Sequence, residues 1–227
     1  MLVYGKQIFY YVLEHHPERI KKVYLLKNVD QKLFTKLKNL GAEIVRVDNK
    51  KAQALARGGN HQGFLIEIED LAFTPLSDLK TGKFLVLLYG VTDVGNIGSI
   101  VRTAYALGVD GIVVSGIRSL KLEGVVRTSS GAALDMPMAL VPNIYDLLKE
   151  LKDVGFRIYG ADMEGEDVRK LHFEGKRALL LGSEGEGIPA KALQKCDKTV
   201  AIKMVRPFDS LNVSAAAAIF VDRMRDE

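Results

Sequence analysis

The pattern of apolar and polar positions changes character near residue 80. Before that point, short elements of both kinds alternate. Gly5–Glu14 sets Ile8, Phe9, Val12 and Leu13 at helical spacing, and Pro17 follows its end. Val23–Leu26 reads as a short strand. Asp30 is placed to cap a helix over Gln31–Leu40, whose Leu33, Phe34, Leu37 and Leu40 share one face and which Gly41 stops. Glu43–Val47 reads as a strand, Lys50–Arg57 as a helix closed by Gly58-Gly59, and Phe64–Ile68 alternates as a third strand. The stretch LAFTPLSDLKTGK that follows is rich in turn-forming pairs and is the best linker in the chain.

From Phe84 onward, wholly apolar strands alternate with helices, the signature of a parallel sheet covered on both faces. Strands are expected at 84–89, 111–115, 137–141, 157–161, 178–182 and 200–202. Helices are expected at Ile97–Leu107, Leu122–Thr128, Ile144–Asp153, Pro189–Lys195 and Leu211–Met224. The fold class is therefore α/β: a small N-terminal α/β domain over residues 1–72, a linker over 73–82, and a parallel-sheet domain over 83–227.

Charge sharpens this division. Residues 1–60 hold 12 Lys and Arg against 5 Asp and Glu, a net of +7, whereas residues 81–227 hold 19 of each. Such a bias fits either a domain that meets a polyanion or a solvated lysine-rich surface. No apolar run is long enough to cross a bilayer, and the N-terminus lacks the pattern of a secretory signal. The single cysteine, Cys196, excludes an internal disulfide and a cysteine-cluster metal site, which fits a reducing cytoplasm. Four histidines show no metal-ligand spacing, so no metal is expected. His61, in GGNHQGF, is either a turn residue or an RNA contact.

Three segments, two of them glycine-rich and all of them carrying clustered polar residues, each lie at the end of a predicted strand. In YGVTDVGNIGSIVRTAYALG, Gly90, Gly95 and Gly98 permit a tight turn, Asn96 lies at the mouth of a helix, and Arg102 follows two turns on. On their own these are either a helix cap with a surface salt bridge or part of a site. In LLLGSEGEGIP, a strand runs into Gly182-Ser183-Glu184-Gly185-Glu186-Gly187, exposing backbone amides to a ligand. Its two carboxylates would repel a pyrophosphate, so an uncharged or cationic ligand, such as adenosine bearing a sulfonium, suits it better; a plain tight turn is the alternative. In VAIKMVRPFDSLNVSAAAAIF, Asp209 or Ser210 reads as an N-cap, and Ser210, Asn212 and Ser214 gather at a helix start where negative charge is favoured. No nucleophile elbow is present, and Cys196 reads as a packing residue.

In order and spacing, GNIGSIVRTAYALG, LLLGSEGEGIP and IKMVRPFDSLNVSAAAAI resemble the three motifs of the SpoU/TrmH class of SPOUT RNA ribose 2′-O-methyltransferases. The match covers most of residues 84–224. The N-terminal stretch, with YGKQIFYYVLE and GNHQGFLIEIE, is similar to that class's small substrate-binding domain, particularly in bacterial enzymes that methylate a guanosine ribose in 23S ribosomal RNA. The resemblance implies S-adenosylmethionine as methyl donor, an RNA substrate, a homodimer and a deep trefoil knot in the C-terminal domain. It implies that Asn96, Arg102, Glu184, Ser210 and Asn212 line the active site, and that the main chain at Gly182, Ile202 and Leu211 holds the donor. The third motif departs from the family: Lys203 stands where proline is usual, and Arg206-Pro207 replace an expected glycine. An arginine is ordinarily a poor base, so Arg102 is read as binding a phosphate and lowering the hydroxyl pKa, with the base left open. A transfer-RNA ribose methyltransferase is the alternative enzyme, and a non-catalytic RNA-binding protein is the alternative class.

Overall fold

The computed structural model describes residues 1–26, 29, 31–207 and 210–225, and within it the change of pattern near residue 80 separates two sheets. Strands β1 (Leu2–Tyr4), β2 (Ile20–Leu25), β3 (Glu43–Arg46) and β4 (Phe64–Ile68) form the first, in the order β1-β4-β2-β3. β4 runs antiparallel to both neighbours, and β2 and β3 are parallel. Helices α1 (Lys6–His15), α2 (Gln31–Asn39) and α3 (Asn49–Leu55) link them. The buried face of α1 is Ile8, Phe9, Val12 and Leu13, the four positions its periodicity marks. Strand β1 is absent from the sequence reading because its three residues have no period to detect; pairing with β4 creates it. The Asp30 cap lies outside the described residues.

The predicted linker contains one helical turn, α4 (Leu76–Leu79), whose Leu79 is buried beneath the second sheet. Just before it, the Thr74 amide donates to the Met138 carbonyl at 2.7 Å. The second unit alternates strand and helix except between β8 and β9: β5 (Phe84–Tyr89), α5 (Val94–Ala106), β6 (Gly111–Ser115), α6 (Leu122–Thr128), β7 (Met138–Leu140), α7 (Ile144–Asp153), β8 (Arg157–Asp167), β9 (Arg177–Gly182), α8 (Ala190–Leu193), β10 (Lys198–Ala201) and α9 (Val213–Met224). The sheet order is β10-β8-β9-β5-β6-β7, with every neighbouring pair parallel.

Strand β5 shows why its sequence is apolar throughout. Phe84, Val86 and Leu88 enter a core shared with α5, α6 and α9, while Leu85 and Leu87 enter another shared with α4, α7 and α8. The first of these cores continues into the N-terminal unit, where Val3, Phe9 and Val12 join Val125, Val126 and Ala132.

Two expectations are revised. Strand β8 extends to Asp167 instead of ending at residue 161, because it pairs with β10 twice: through Tyr159 and Gly160, and again through Glu166 and Asp167. The polar residues between, Ala161–Gly165, bulge out of the ladder. The glycines of the first motif also divide: Gly90 makes the turn at φ 66°, whereas Gly95 and Gly98 lie within α5. His61 is a buried turn residue whose Nδ1 accepts from the Gly63 amide. Cys196 packs against the second core, and burial pushes its thiol up to about 11.

The end of α9 is fixed by Arg177, which is only 2% exposed. Its Nε donates to the Met224 carbonyl, its Nη1 donates to the Gly175 carbonyl at 3.0 Å, and its guanidinium lies 4.8 Å from the Phe84 ring. A cation at a helix C-terminus is favoured, and a buried carbonyl left without its donor is costly. Arg177→Met keeps the apolar stem and removes these donors. It should cost about 2–4 kcal/mol, lowering the thermal midpoint by several degrees in calorimetry. An unchanged midpoint contradicts this clamp.

Candidate active site

The loops after β5, β9 and β10 leave the same end of the sheet, and three polar side chains from them converge. Asp93 caps α5 by accepting from the Asn96 amide at 2.6 Å, which sets Asn96 in the first turn. After β9, the chain folds back at once: the Gly187 amide donates to the Ser183 carbonyl at 2.9 Å, and these residues form an isolated bridge. A Cβ on Gly182 would overlap the Gly187 carbonyl, so only glycine allows this loop to close. The closed loop turns Glu184 toward α9.

There, Glu184 Oε1 accepts from Asn212 Nδ2 at 2.5 Å, from the Val213 amide at 3.2 Å and from Asn96 Nδ2 at 3.5 Å. Asn212 Nδ2 also donates to Asn96 Oδ1 at 3.1 Å. The cluster thus joins residues 88 and 116 positions apart in the chain. A carboxylate beside the first amides of a helix is electrostatically favoured. The cap of α9 is Asn212, whose Oδ1 accepts from the Ser214 amide at 2.9 Å and the Ser214 hydroxyl at 2.5 Å. The expected cap at Ser210 is therefore corrected, and Asp209 lies outside the described residues. The helix starts at Val213, two residues after the expected start, because an Asx turn at Asn212 satisfies its first amides.

Beside this cluster lies a cavity of about 290 Å³, near the low end for small-molecule sites. Gly182, Glu184, Ile202, Ser210 and Leu211 all line it, so two of its walls come from the second and third motifs. The third wall went unpredicted: Ala161, Asp162 and Met163 belong to the β8 bulge. Lys203 explains how the altered third motif still closes the site, since its Nζ donates to the Met163 carbonyl at 3.0 Å and ties the 202–205 segment to that bulge. Asp162, Glu184 and Glu186 give the lining three carboxylates against apolar walls that include Ile188, Val213 and Phe220. This composition fits a ligand with an apolar body and a positive centre. Among the described residues, no group of three His, Cys, Asp or Glu side chains could hold a metal.

Arg102 does not join the cluster. It lies on α5 six residues past Asn96, about 9 Å along the axis, and its Nη1 donates to Ser130 Oγ at 3.5 Å. The sequence has no signal for this pairing, because Ser130 occupies an irregular turn after α6.

A family model for the SpoU rRNA methylase family matches residues 83–222, and one for RNA 2′-O ribose methyltransferase substrate binding matches residues 2–74. The chain is 32% identical to the 23S rRNA (guanosine-2′-O-)-methyltransferase RlmB of Haemophilus ducreyi, covering 96% of this chain and 94% of that protein. It is 32% identical to the RlmB protein of Bordetella pertussis, covering 91% and 89%. In fold it resembles an AdoMet-bound rRNA methyltransferase from Sinorhizobium meliloti, with a TM-score of 0.78 and 24% identity over 98% of this chain and 85% of that one. A TrmH/SpoU tRNA modifying enzyme of A. aeolicus matches 65% of this chain and 79% of its own, with a TM-score of 0.56 and 27% identity.

The shared acceptor makes the cluster cooperative. Glu184→Ala and Asn212→Ala should each destabilise by about 1–2 kcal/mol, through a lost acceptor and a lost cap. Combined, they should fall short of the sum by about 1 kcal/mol, because each removes the same hydrogen bond. Urea unfolding of both single variants and the double variant measures this; strict additivity would mean the contact contributes nothing.

Proposed function

Because the chain belongs to the SpoU rRNA methylase family, we propose that it transfers a methyl group from S-adenosylmethionine to the 2′-hydroxyl of a guanosine ribose in 23S ribosomal RNA. The observation that carries this reading is the meeting of all three motifs in one cluster, with Asn96, Glu184 and Asn212 in hydrogen-bond contact, beside a cavity whose walls from the second and third motifs include Gly182, Ile202 and Leu211. The agreement of the RlmB relatives over both halves of the chain supports the ribosomal substrate, since the tRNA enzyme matches only 65% of it.

Bound S-adenosylmethionine supplies an electrophilic methyl on a cationic sulfonium. Around it, Asp162, Glu184 and Glu186 favour the positive centre, and the main chain at Gly182, Ile202 and Leu211 is placed to hold the adenosine. Glu184 also fixes the cluster, so that Asn96 and Asn212 orient the ribose, with Ser210 at the rim. Arg102 carries a fixed positive charge two turns along α5. It binds the neighbouring phosphate and favours negative charge developing on the ribose oxygen as its proton leaves. The RNA lies against the lysines of the N-terminal domain, including exposed Lys32, Lys36 and Lys38 on α2.

Two domains, 1–72 and 83–227 joined by 73–82, and a cytoplasmic place beside the ribosome complete the reading. The knot is supported by the path of the chain, which leaves the sheet edge at β10 and returns as α9 to pack on α5 and β9. A homodimer is supported by apolar groups left outside: Met163 (58% exposed), Val205 (98%) and Ile219 (39%), with Ala215 one turn before Ile219 on the outer face of α9.

Arg102→Ala should bind the donor normally in calorimetry on chelator-treated protein, yet methylate about 10²–10³ times more slowly in single turnovers. Arg102→Lys should rescue little, since a point charge cannot copy a planar two-pronged contact. Normal methylation by Arg102→Ala would refute its role, and a wild-type protein that binds no donor would refute the whole reading. Light scattering should find the wild type at twice 25.0 kDa and Ile219→Asp shifted toward the monomer; a wild type that is monomeric at micromolar concentration removes the dimer.

A further inference from the structure

A cleft of about 690 Å³, unused by the reading above, lies between the N-terminal unit and the end of α6. It shares no lining residue with the cavity at the three motifs. Its walls carry Tyr4, Gln7, Tyr10, Tyr11, Arg127 and Ser130, and Lys6 stands on its rim. Helix α5 connects the two spaces. Asn96 lies in the cluster beside one, while Arg102 reaches Ser130 in the wall of the other, and Ser130 Oγ in turn donates to Gln7 Oε1 at 3.3 Å. A ribose held at Asn96 and Arg102 would therefore have its neighbouring nucleotide at the mouth of the cleft.

The walls are built to stay in place. Tyr11 donates to Asp135, and His16 contacts the same carboxylate at 3.1 Å. A Cβ on Gly131 would come within 2.6 Å of the Tyr11 ring, so the two units meet here by close packing. Arg127 lies over the Tyr4 ring with its guanidinium 4.8 Å from the centroid and donates to the Tyr4 hydroxyl. Tyr10 leans edge-on against Phe9 and tilts against Phe64 while bordering the cleft.

We propose that this cleft receives an unpaired nucleotide immediately flanking the methylated one, its base stacked on Tyr10 and its phosphate held by Arg127 and Lys6. The inference rests on the RNA methyltransferase reading above and extends it to a second subsite. The chemistry selects a nucleotide: aromatic rings offer a stacking face, two cations offer phosphate contacts, and the Gln7 and Gln62 amides offer donors to a base edge. The Gln7 and Gln62 amide oxygens already accept from the Ser130 hydroxyl and the Lys6 amide, which fixes both side chains and leaves their NH2 groups to donate to a base edge. The contact from Gln7 through Ser130 to Arg102 links the wall of the cleft to the proposed ribose site.

The test uses the full chain and a ribosomal RNA fragment containing the mapped target guanosine, with the nucleotide on each side replaced in turn by an abasic residue. On one side, the abasic replacement should weaken binding to the wild type about tenfold. In Tyr10→Ala the same replacement should add little, because its stacking partner is already gone, while Tyr10→Phe should match the wild type. A 4-thiouridine at the flanking position should photocrosslink, in the unaltered chain, to residues 6–11 or 127–130. Penalties that multiply in full, no abasic effect on either side, or crosslinks confined to other segments would each overturn the subsite. Donor binding by calorimetry shows that each variant is folded. A wild type that binds donor but methylates no RNA would overturn the proposed function itself, a result distinct from loss of the subsite alone.

Discussion

The Glu184 carboxylate accepts hydrogen bonds from the Asn212 side chain and the Val213 amide at the start of α9, and reaches Asn96 on α5. The rest of the site depends on this acceptor, because the loops it joins come from different strands and have no covalent reason to meet. The electrostatics favour it: a helix N-terminus presents unpaired amides and partial positive charge, and a carboxylate answers both. Geometry then restricts what can precede it. Gly182 must lack a side chain so that the loop can fold onto Gly187 and present Glu184. The Lys203 contact to the Met163 carbonyl closes the opposite side and lets the segment lacking the usual proline keep Ile202 against the cavity.

How much of this could be read from the sequence follows from the range of the interactions. Strand β5 was legible because burial on both faces demands an unbroken apolar run. Helix α1 was legible because burial on one face demands helical spacing. The β8 extension was not, since Asp162, Glu164 and Glu166 give a polar stretch no reason to be strand until β10 pairs with it. The α9 start was misplaced by two residues for a related reason: Ser210 and Asn212 both have capping side chains, and only the position of Glu184 favours Asn212. The motifs grouped Asn96, Arg102, Glu184, Ser210 and Asn212, of which Asn96, Glu184 and Asn212 are in hydrogen-bond contact. That Arg102 pairs with Ser130 instead of joining them depends on a turn with no periodic signature.

That turn also changes how the two halves relate. Composition divides them sharply, with a basic first part and a balanced second, as if one were an accessory on a tether. Packing contradicts a loose tether. Phe9 and Val12 share a core with Val125 and Ala132, Leu79 is buried under the second sheet, and Tyr11 contacts Asp135. Ser130, at φ 56°, holds a left-handed conformation that is uncommon outside glycine. Such a conformation persists where surrounding contacts determine it, and here those contacts come from both halves, through Gln7 and Arg102.

The division of labour within the site follows from which groups are already engaged. Glu184 Oε1 faces three donors and so orders the cluster. Arg102 stands apart from that cluster, held at arm's length by one hydroxyl. The asparagines orient without changing charge. Under the proposed reaction, what remains for the protein to supply is placement and a fixed electric field: acidic groups around the cavity, the Arg102 cation beyond it, and amides between them. An in-line displacement at a carbon already activated by positive charge asks for little more. Under that proposal, charges of opposite sign flank the reacting atoms: Arg102 of α5 on one side and the carboxylates of the 183–187 loop on the other.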